Sequence, residues 1–242
     1  MTASRAGTPL DRATVVGGLP TGVRAWTTGR EAGSFGLGSD ESVGVVMDRW
    51  TALLEALAAH GIDRLASATQ VHGAQVARHD GDWRGWLRLR GVDGHITTTR
   101  GTALAVTVAD CTPVFIAHPA GAVAALHAGW RGTAAGILDV GLDALKAAGY
   151  PADECVVHLG PAICGACYEV GPEVLCAVTG TPTNAHGLLD VRAVLAEQAT
   201  RRHVQELTVS VACSRCQNDR FFSHRAGDAG RQLGIIAVGA CE

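Results

Sequence analysis

A thiol and an imidazole stand at the ends of two neighbouring apolar runs, and no other pairing in the 242 residues carries as much chemistry. Residues 102–109 (TALAVTVA) lead straight into Asp110-Cys111, and residues 122–126 (AVAAL) lead into His127-Ala128-Gly129-Trp130-Arg131-Gly132. Between them His118-Pro119-Ala120-Gly121 reads as a tight turn. With His118 set opposite Gly121, position 112 faces position 127, and Cys111 is expected beside His127. A lone cysteine at a strand end is usually a small buried hydrophobe, and a lone histidine beside glycine is usually a turn residue. Brought together, with Asp110 adjacent and Arg131 close behind, they point to a site. Gln70-Val71-His72-Gly73 offers a third group, weak by itself. His72, Cys111 and His127 would give a tetrahedral ion three protein ligands and leave the fourth position open, as in catalytic zinc sites. Zinc suits such a set best and copper is the second choice. A zinc ion so held polarises an oxygen near neutral pH. Without a metal, Cys111 as nucleophile and His127 as base would make a hydrolase.

These residues need a rigid frame. Residues 102–109, 114–117 and 122–126 are short apolar runs between turn signals and read as buried strands. Further strands are expected at 156–159, 207–212 and 233–238, and helices at 132–148 and 191–203. Residues 42–60 repeat apolar side chains at helical spacing, with Ser39 or Asp40 as cap and Gly61 as stop, and read as packing only. Strands and helices alternate without a clean βαβ rhythm, which predicts an α+β or mixed-sheet α/β fold. Residues 1–22 read as a poorly ordered lead-in and 23–242 as a single catalytic domain.

Composition narrows the classes. The chain is 47% hydrophobic and 18% charged, enough to bury a sizeable core. A net charge of −3 gives no electrostatic case for nucleic acid or an anionic membrane. Residues 1–16 carry Arg5, Asp11 and Arg12 and do not resemble a signal peptide. No apolar run approaches the length of a membrane span. Eight cysteines in such a chain are expected as thiols or metal ligands in the cytoplasm.

The segments ATQVHGAQV, VADCTPV, ALHAGWRGTAAGIL, GPAICGACYEVGPEV and CSRCQNDRFFSHR together resemble the bacterial laccase-domain family. It is also called the multicopper polyphenol oxidoreductase or peptidoglycan-editing-factor family. The resemblance runs from about Trp26 onward. It implies a zinc or copper ion on the histidine of QVHG, the cysteine of ADC and the histidine of HAGWRG, here His72, Cys111 and His127. It also implies layered α/β–β/α architecture like that of a bacterial toxin deamidase. The activity implied is metal-dependent purine nucleoside phosphorylase with accompanying adenosine deaminase, acting on small molecules. A copper-dependent polyphenol oxidoreductase, or a Cys–His hydrolase in peptidoglycan editing, is the alternative. Two segments depart from the family pattern: Asp48-Arg49 replaces Asn-Arg, and Ser223-His224-Arg225-Ala226 replaces Ser-Tyr-Arg-Arg.

Chemistry ranks these activities. A trinuclear copper cluster needs many histidines, usually in His-x-His pairs, and none of the ten histidines forms such a pair. Phosphorolysis needs an anion cradle, for which Arg131 is expected at a helix N-terminus, with Arg225 and Arg231 as further candidates. Glu169 is a candidate acid/base or ribose contact, with helix capping as its plain alternative. Phe221 and Phe222 would stack on a purine or sit in the core. Cys164-Gly-Ala-Cys167 and Cys213-Ser-Arg-Cys216 raise a rival of another class, a four-cysteine zinc module in a binding protein. Against it, glycine and proline already explain the first turn.

Overall fold

Residues 7–239 are described in a computed structural model of the chain. In chain order the first strands are β1 (Thr14–Val15), β2 (Val23–Thr27), β3 (Arg64–Thr69), β4 (Val76–His79), β5 (Gly85–Arg90), β6 (Gly94–Thr97) and β7 (Thr102–Val108). They are followed by β8 (Thr112–Ala117), β9 (Val123–Ala128), β10 (Val156–Leu159), β11 (Glu169–Val170), β12 (Gly187–Leu188), β13 (Glu206–Val209) and β14 (Gln232–Val238). The α-helices are α1 (Val43–Ala58), α2 (Trp130–Ala134), α3 (Ile137–Ala147), α4 (Pro172–Thr179) and α5 (Val191–Arg201). Two six-stranded mixed sheets result, in the orders β1-β2-β14-β7-β3-β5 and β13-β10-β8-β9-β6-β4.

The sheets lie face to face with helices outside both, the α/β–β/α layering that the resemblance implies. Side chains alternate across a strand, and β7 shows the consequence. Ala103 and Ala105 pack with Trp50 and Leu53 of α1, whereas Leu104 and Val106 pack with Phe115 and Ala125 of the other sheet. Val114, Ile116 and Leu126 turn the opposite way, onto Ile137 and Leu142 of α3 and Leu195 of α5. Strands covered on both faces have no room for polar alternation, which is why TALAVTVA reads as unbroken apolar sequence.

Several expectations need correction. The helix expected at 132–148 is two helices, α2 and α3, because Gly136 adopts φ +74° between them. Strand β13 ends at Val209, short of the expected 212, because it is an edge strand paired with β10 alone. Part of the lead-in is built into the fold: β1 pairs with β2, and Leu10 is buried in the cluster around Trp26. The β8–β9 hairpin is one residue out of the expected register. His118 N–H bonds to Ala122 O, Gly121 takes φ +92°, and Pro113 rather than Thr112 faces His127. The shift matters because one residue of slip changes the face of every side chain. Continued past the strand end, the true register puts Cys111 opposite Gly129, on the His127 side.

Candidate active site

Two left-handed backbone positions mark where the chain crosses between the sheets. His72, at φ +61°, lies between β3 and β4, and Asp110, at φ +81°, lies between β7 and β8. Aspartate and histidine tolerate this conformation better than most side chains, though at a cost. β3 and β7 pair only as far as Ala66 and Leu104. Beyond that point the Gln70 side chain replaces main-chain pairing: its Nε2 donates to Thr107 O and its Oε1 accepts from Thr107 N, both at 2.8 Å. The splayed strand ends open a cavity of about 600 Å³ whose wall includes His72, Cys111 and His127.

The three expected ligands do meet. One donor atom from each lies within 4.8 Å of the others, and the two imidazole rings are 4.7 Å apart, nearly perpendicular. His127 is buried, Cys111 half-buried and His72 exposed to the cavity. Asp93, fully buried and not anticipated, organises them. Its Oδ1 lies 2.8 Å from His127 Nδ1, and the carboxylate accepts backbone N–H groups from Val71, His72 and Gly73. His127 therefore has Nε2 left for an ion, and the His72 main chain is held from beneath. Burial pushes the Asp93 carboxyl up, but His127 and those N–H donors outweigh it and keep it ionised below the usual range. In the sequence, Asp93 sits in GVDGH and carries only a turn signal.

Burial also works against charge on Cys111, and it loses. The His127 imidazole, then His72, draws the thiol down to about 6. Burial likewise opposes the His127 imidazolium, but the Cys111 thiolate and Asp93 hold it up at about 9. Gly129 keeps the corner open: a Cβ there would lie 2.9 Å from Cys111 Sγ and 3.2 Å from His72 Cδ2. Thiolate, two imidazoles, a carboxylate behind one of them and an uncrowded corner are a donor set that fits zinc or copper.

Around this corner the wall is cationic. Arg88, Arg131, Arg225 and Arg231 all line the cavity, and among the described residues Asp110 is the only carboxylate on it. Asp110 is already engaged, accepting Ser214 Oγ–H and Arg225 N–H, both at 2.6 Å. Arg131 stacks on Trp130 at 4.3 Å, and among the described residues its guanidinium has no hydrogen-bond partner. Helix α2 spans only five residues, so the positive character of this wall comes from guanidinium groups more than from a helix dipole. Arg225 covers Tyr168 at 4.9 Å and donates to Glu169 O at 2.9 Å. Arg231 donates to the carbonyls of Asp228, Ala229 and Gly230, which ties it to its own loop. Glu169 points its side chain to solvent and is not part of the wall. Phe221 is buried and Phe222 lies under Arg30 at 4.6 Å; neither lines the cavity, whose aromatic faces are Trp130 and Tyr168.

A scan against family models matches residues 30–239 to one described as multi-copper polyphenol oxidoreductase laccase. The chain belongs to that family. Within it, the protein is 37% identical over 175 residues to "Purine nucleoside phosphorylase ORF3" of Streptomyces griseus, covering 69% of this chain and 71% of that one. It is 33% identical over 184 residues to "Adenosine deaminase RL5" from an unknown prokaryotic organism, covering 68% and 70%. Among solved structures, YlmD from Geobacillus stearothermophilus superposes with a TM-score of 0.83 at 28% identity, over 91% of this chain and 93% of that one. No helix among the described residues is long and apolar enough to cross a membrane.

Proposed function

We propose that this laccase-family protein is a metal-dependent purine nucleoside phosphorylase that also deaminates adenosine, with His72, Cys111 and His127 holding zinc or, second, copper. The observation that carries the reading is one cavity uniting a thiolate–imidazole corner with a ring of arginines. An ion held by these three residues would supply a Lewis acid able to polarise an oxygen. In phosphorolysis a phosphate oxygen attacks the ribose anomeric carbon, the bond to the base nitrogen breaks, and the base leaves with that electron pair and takes up a proton. Arg131 binds the phosphate dianion, and Arg225 and Arg231 add positive charge on the same cavity wall. Glu169 contributes its main-chain oxygen, which aims Arg225. Trp130 and Tyr168, covered on one face by Arg131 and Arg225 respectively, are the aromatic side chains on the wall that a purine would meet. Burial and the charge of Cys111 push the Tyr168 hydroxyl above its usual range, so it stays protonated on the cavity wall. A cavity of this size takes a small molecule rather than a polymer.

A four-electron copper oxidase fits less well. Among the described residues the clusters of three or more potential ligands are this triad and a set of four cysteines, so no further histidines converge on the triad. The deciding experiment measures metal content and product formation together. Protein purified without added metal should form ribose 1-phosphate and free base from inosine and phosphate, and inosine from adenosine. Chelation should abolish deamination and leave slow phosphorolysis. Metal-replete protein inert toward every purine nucleoside would overturn the reading, and equal loss of both reactions on chelation would overturn the division of roles.

A further inference from the structure

The two CxxC segments, read as a rival to the catalytic site, converge beside it instead. Strands β10 and β13 are parallel neighbours, so the chain leaves both at the same end of the sheet. The register continues beyond them: Ala162 bridges Cys213, and Ser214 N–H donates to Ala162 O at 3.1 Å. That alignment sets the turn holding Cys164 and Cys167 against the turn holding Cys213 and Cys216. All four sulfur atoms lie within 4.8 Å of one another, Cys167 and Cys216 at 3.4 Å. A zinc ion with bonds of about 2.3 Å to four sulfurs spaces them about 3.8 Å apart at the corners of a tetrahedron.

The surroundings suit a thiolate at Cys213. Cys213 is buried and its Sγ accepts the N–H groups of Cys164 at 3.3 Å and of Cys216 at 3.4 Å. Such donors orient sulfur lone pairs and spread negative charge. Arg215, between the second pair, donates to Cys167 O at 3.1 Å and sets a cation beside the cluster. We propose that Cys164, Cys167, Cys213 and Cys216 hold a structural Zn²⁺, separate from the ion of the triad. Binding releases the four thiol protons to solvent and leaves a doubly negative tetrathiolate centre, with no change of oxidation state. All four positions are filled by protein, so the ion offers none to substrate.

The ion sits behind the wall of the active cavity. Tyr168 directly follows Cys167, and Ser214, directly after Cys213, donates to Asp110. Asp110 adjoins Cys111 and receives the main chain of Arg225. The zinc thus clamps together the two loops that present Tyr168 and Arg225 and support the ligand Cys111. It is independent of which reaction the cavity performs.

The test is metal stoichiometry by elemental analysis on full-length protein grown with zinc and purified under reductant without chelator. Wild type should carry two ions per chain and Cys111→Ser one. Cys213→Ser/Cys216→Ser should lose the other ion and with it thermal stability. Because that double variant is the one that can fail to fold, cobalt-loaded Cys111→Ser provides a second readout. It should show the intense visible absorption of tetrathiolate cobalt and the sulfur-to-metal charge-transfer band. A single ion in wild type that disappears in Cys111→Ser would overturn the proposal. So would a Cys167–Cys216 disulfide found by mass spectrometry in protein kept reduced.

Discussion

Asp93 and His127 share a 2.8 Å hydrogen bond from which both imidazoles of the site take their positions. One carboxylate oxygen fixes the ring of His127, and the same group gathers the N–H donors of the His72 turn. Asp93→Asn preserves the shape but sets an amide N–H among groups that are themselves donors. The expected result is metal affinity about ten- to a hundredfold weaker, read by competition with a chromophoric chelator while far-ultraviolet circular dichroism is unchanged. Equal affinity in the variant would assign Asp93 to loop architecture alone.

Gly129 gives a sharper steric test. Its φ is −84°, an angle alanine adopts without strain, so Gly129→Ala adds only a methyl group. That methyl meets Cys111 Sγ and the His72 ring. The metal should be displaced or bound at least tenfold more weakly, with the melting temperature of metal-stripped protein little changed. A crystal structure or titration showing full occupancy in the variant would refute the tight corner.

Arg131 has its guanidinium uncommitted, so its loss should appear in phosphate binding first. If Arg131 binds phosphate as proposed, Arg131→Ala removes a charge-assisted contact of roughly 1.5–3 kcal/mol, about ten- to a hundredfold in the KM for phosphate. The KM for nucleoside should move far less. If both constants shift together, the residue acts through packing on Trp130.

The buried pair His79–His95 makes acid stability predictable. His79 Nε2 and His95 Nδ1 are 3.0 Å apart, and His95 Nε2 has no partner. Burial, then the neighbouring His79, pushes His95 down from 6.5 to about 3; burial pushes His79 down as well. The unfolded chain therefore takes up these protons first as pH falls. The stabilising contribution of His95 is whole above pH 6.5 and drains as pH drops toward 3, by up to about 1.4 kcal/mol per pH unit, and His79 adds in the same direction. His95→Gln should flatten this limb in urea titrations between pH 7.5 and 4.5. Parallel curves for the two proteins would rule out the pair as the cause.

The parts of this molecule legible in its sequence are those where one physical demand dominates. Burial on both faces made β7, β8 and β9 stand out, and the chemistry of Cys111 and His127 followed from their positions at strand ends. β5 was missed because GWLRLR leaves alternate arginines in solvent at a sheet edge, a weak apolar signal. β2 was missed because VRAWT interrupts its apolar face with Arg24. Asp93 was invisible for a different reason: its role depends on a turn twenty residues earlier in the chain, which no local pattern reports. The one-residue register error has an equally local cause. Gly121 in a left-handed conformation lengthens the loop to Pro119-Ala120-Gly121, which the turn residues alone do not distinguish from a shorter loop.

Strand β14 is buried along its whole length and lies between β2 and β7, near the middle of its sheet. On a ribosome it is made after the thirteen strands that precede it in the chain. Until it emerges, β2 and β7 each expose an open apolar edge, which is the kind of surface that recruits other chains. The strands made before it must therefore wait for it. A stop codon placed before Gln232 should yield inclusion bodies rather than a shortened enzyme.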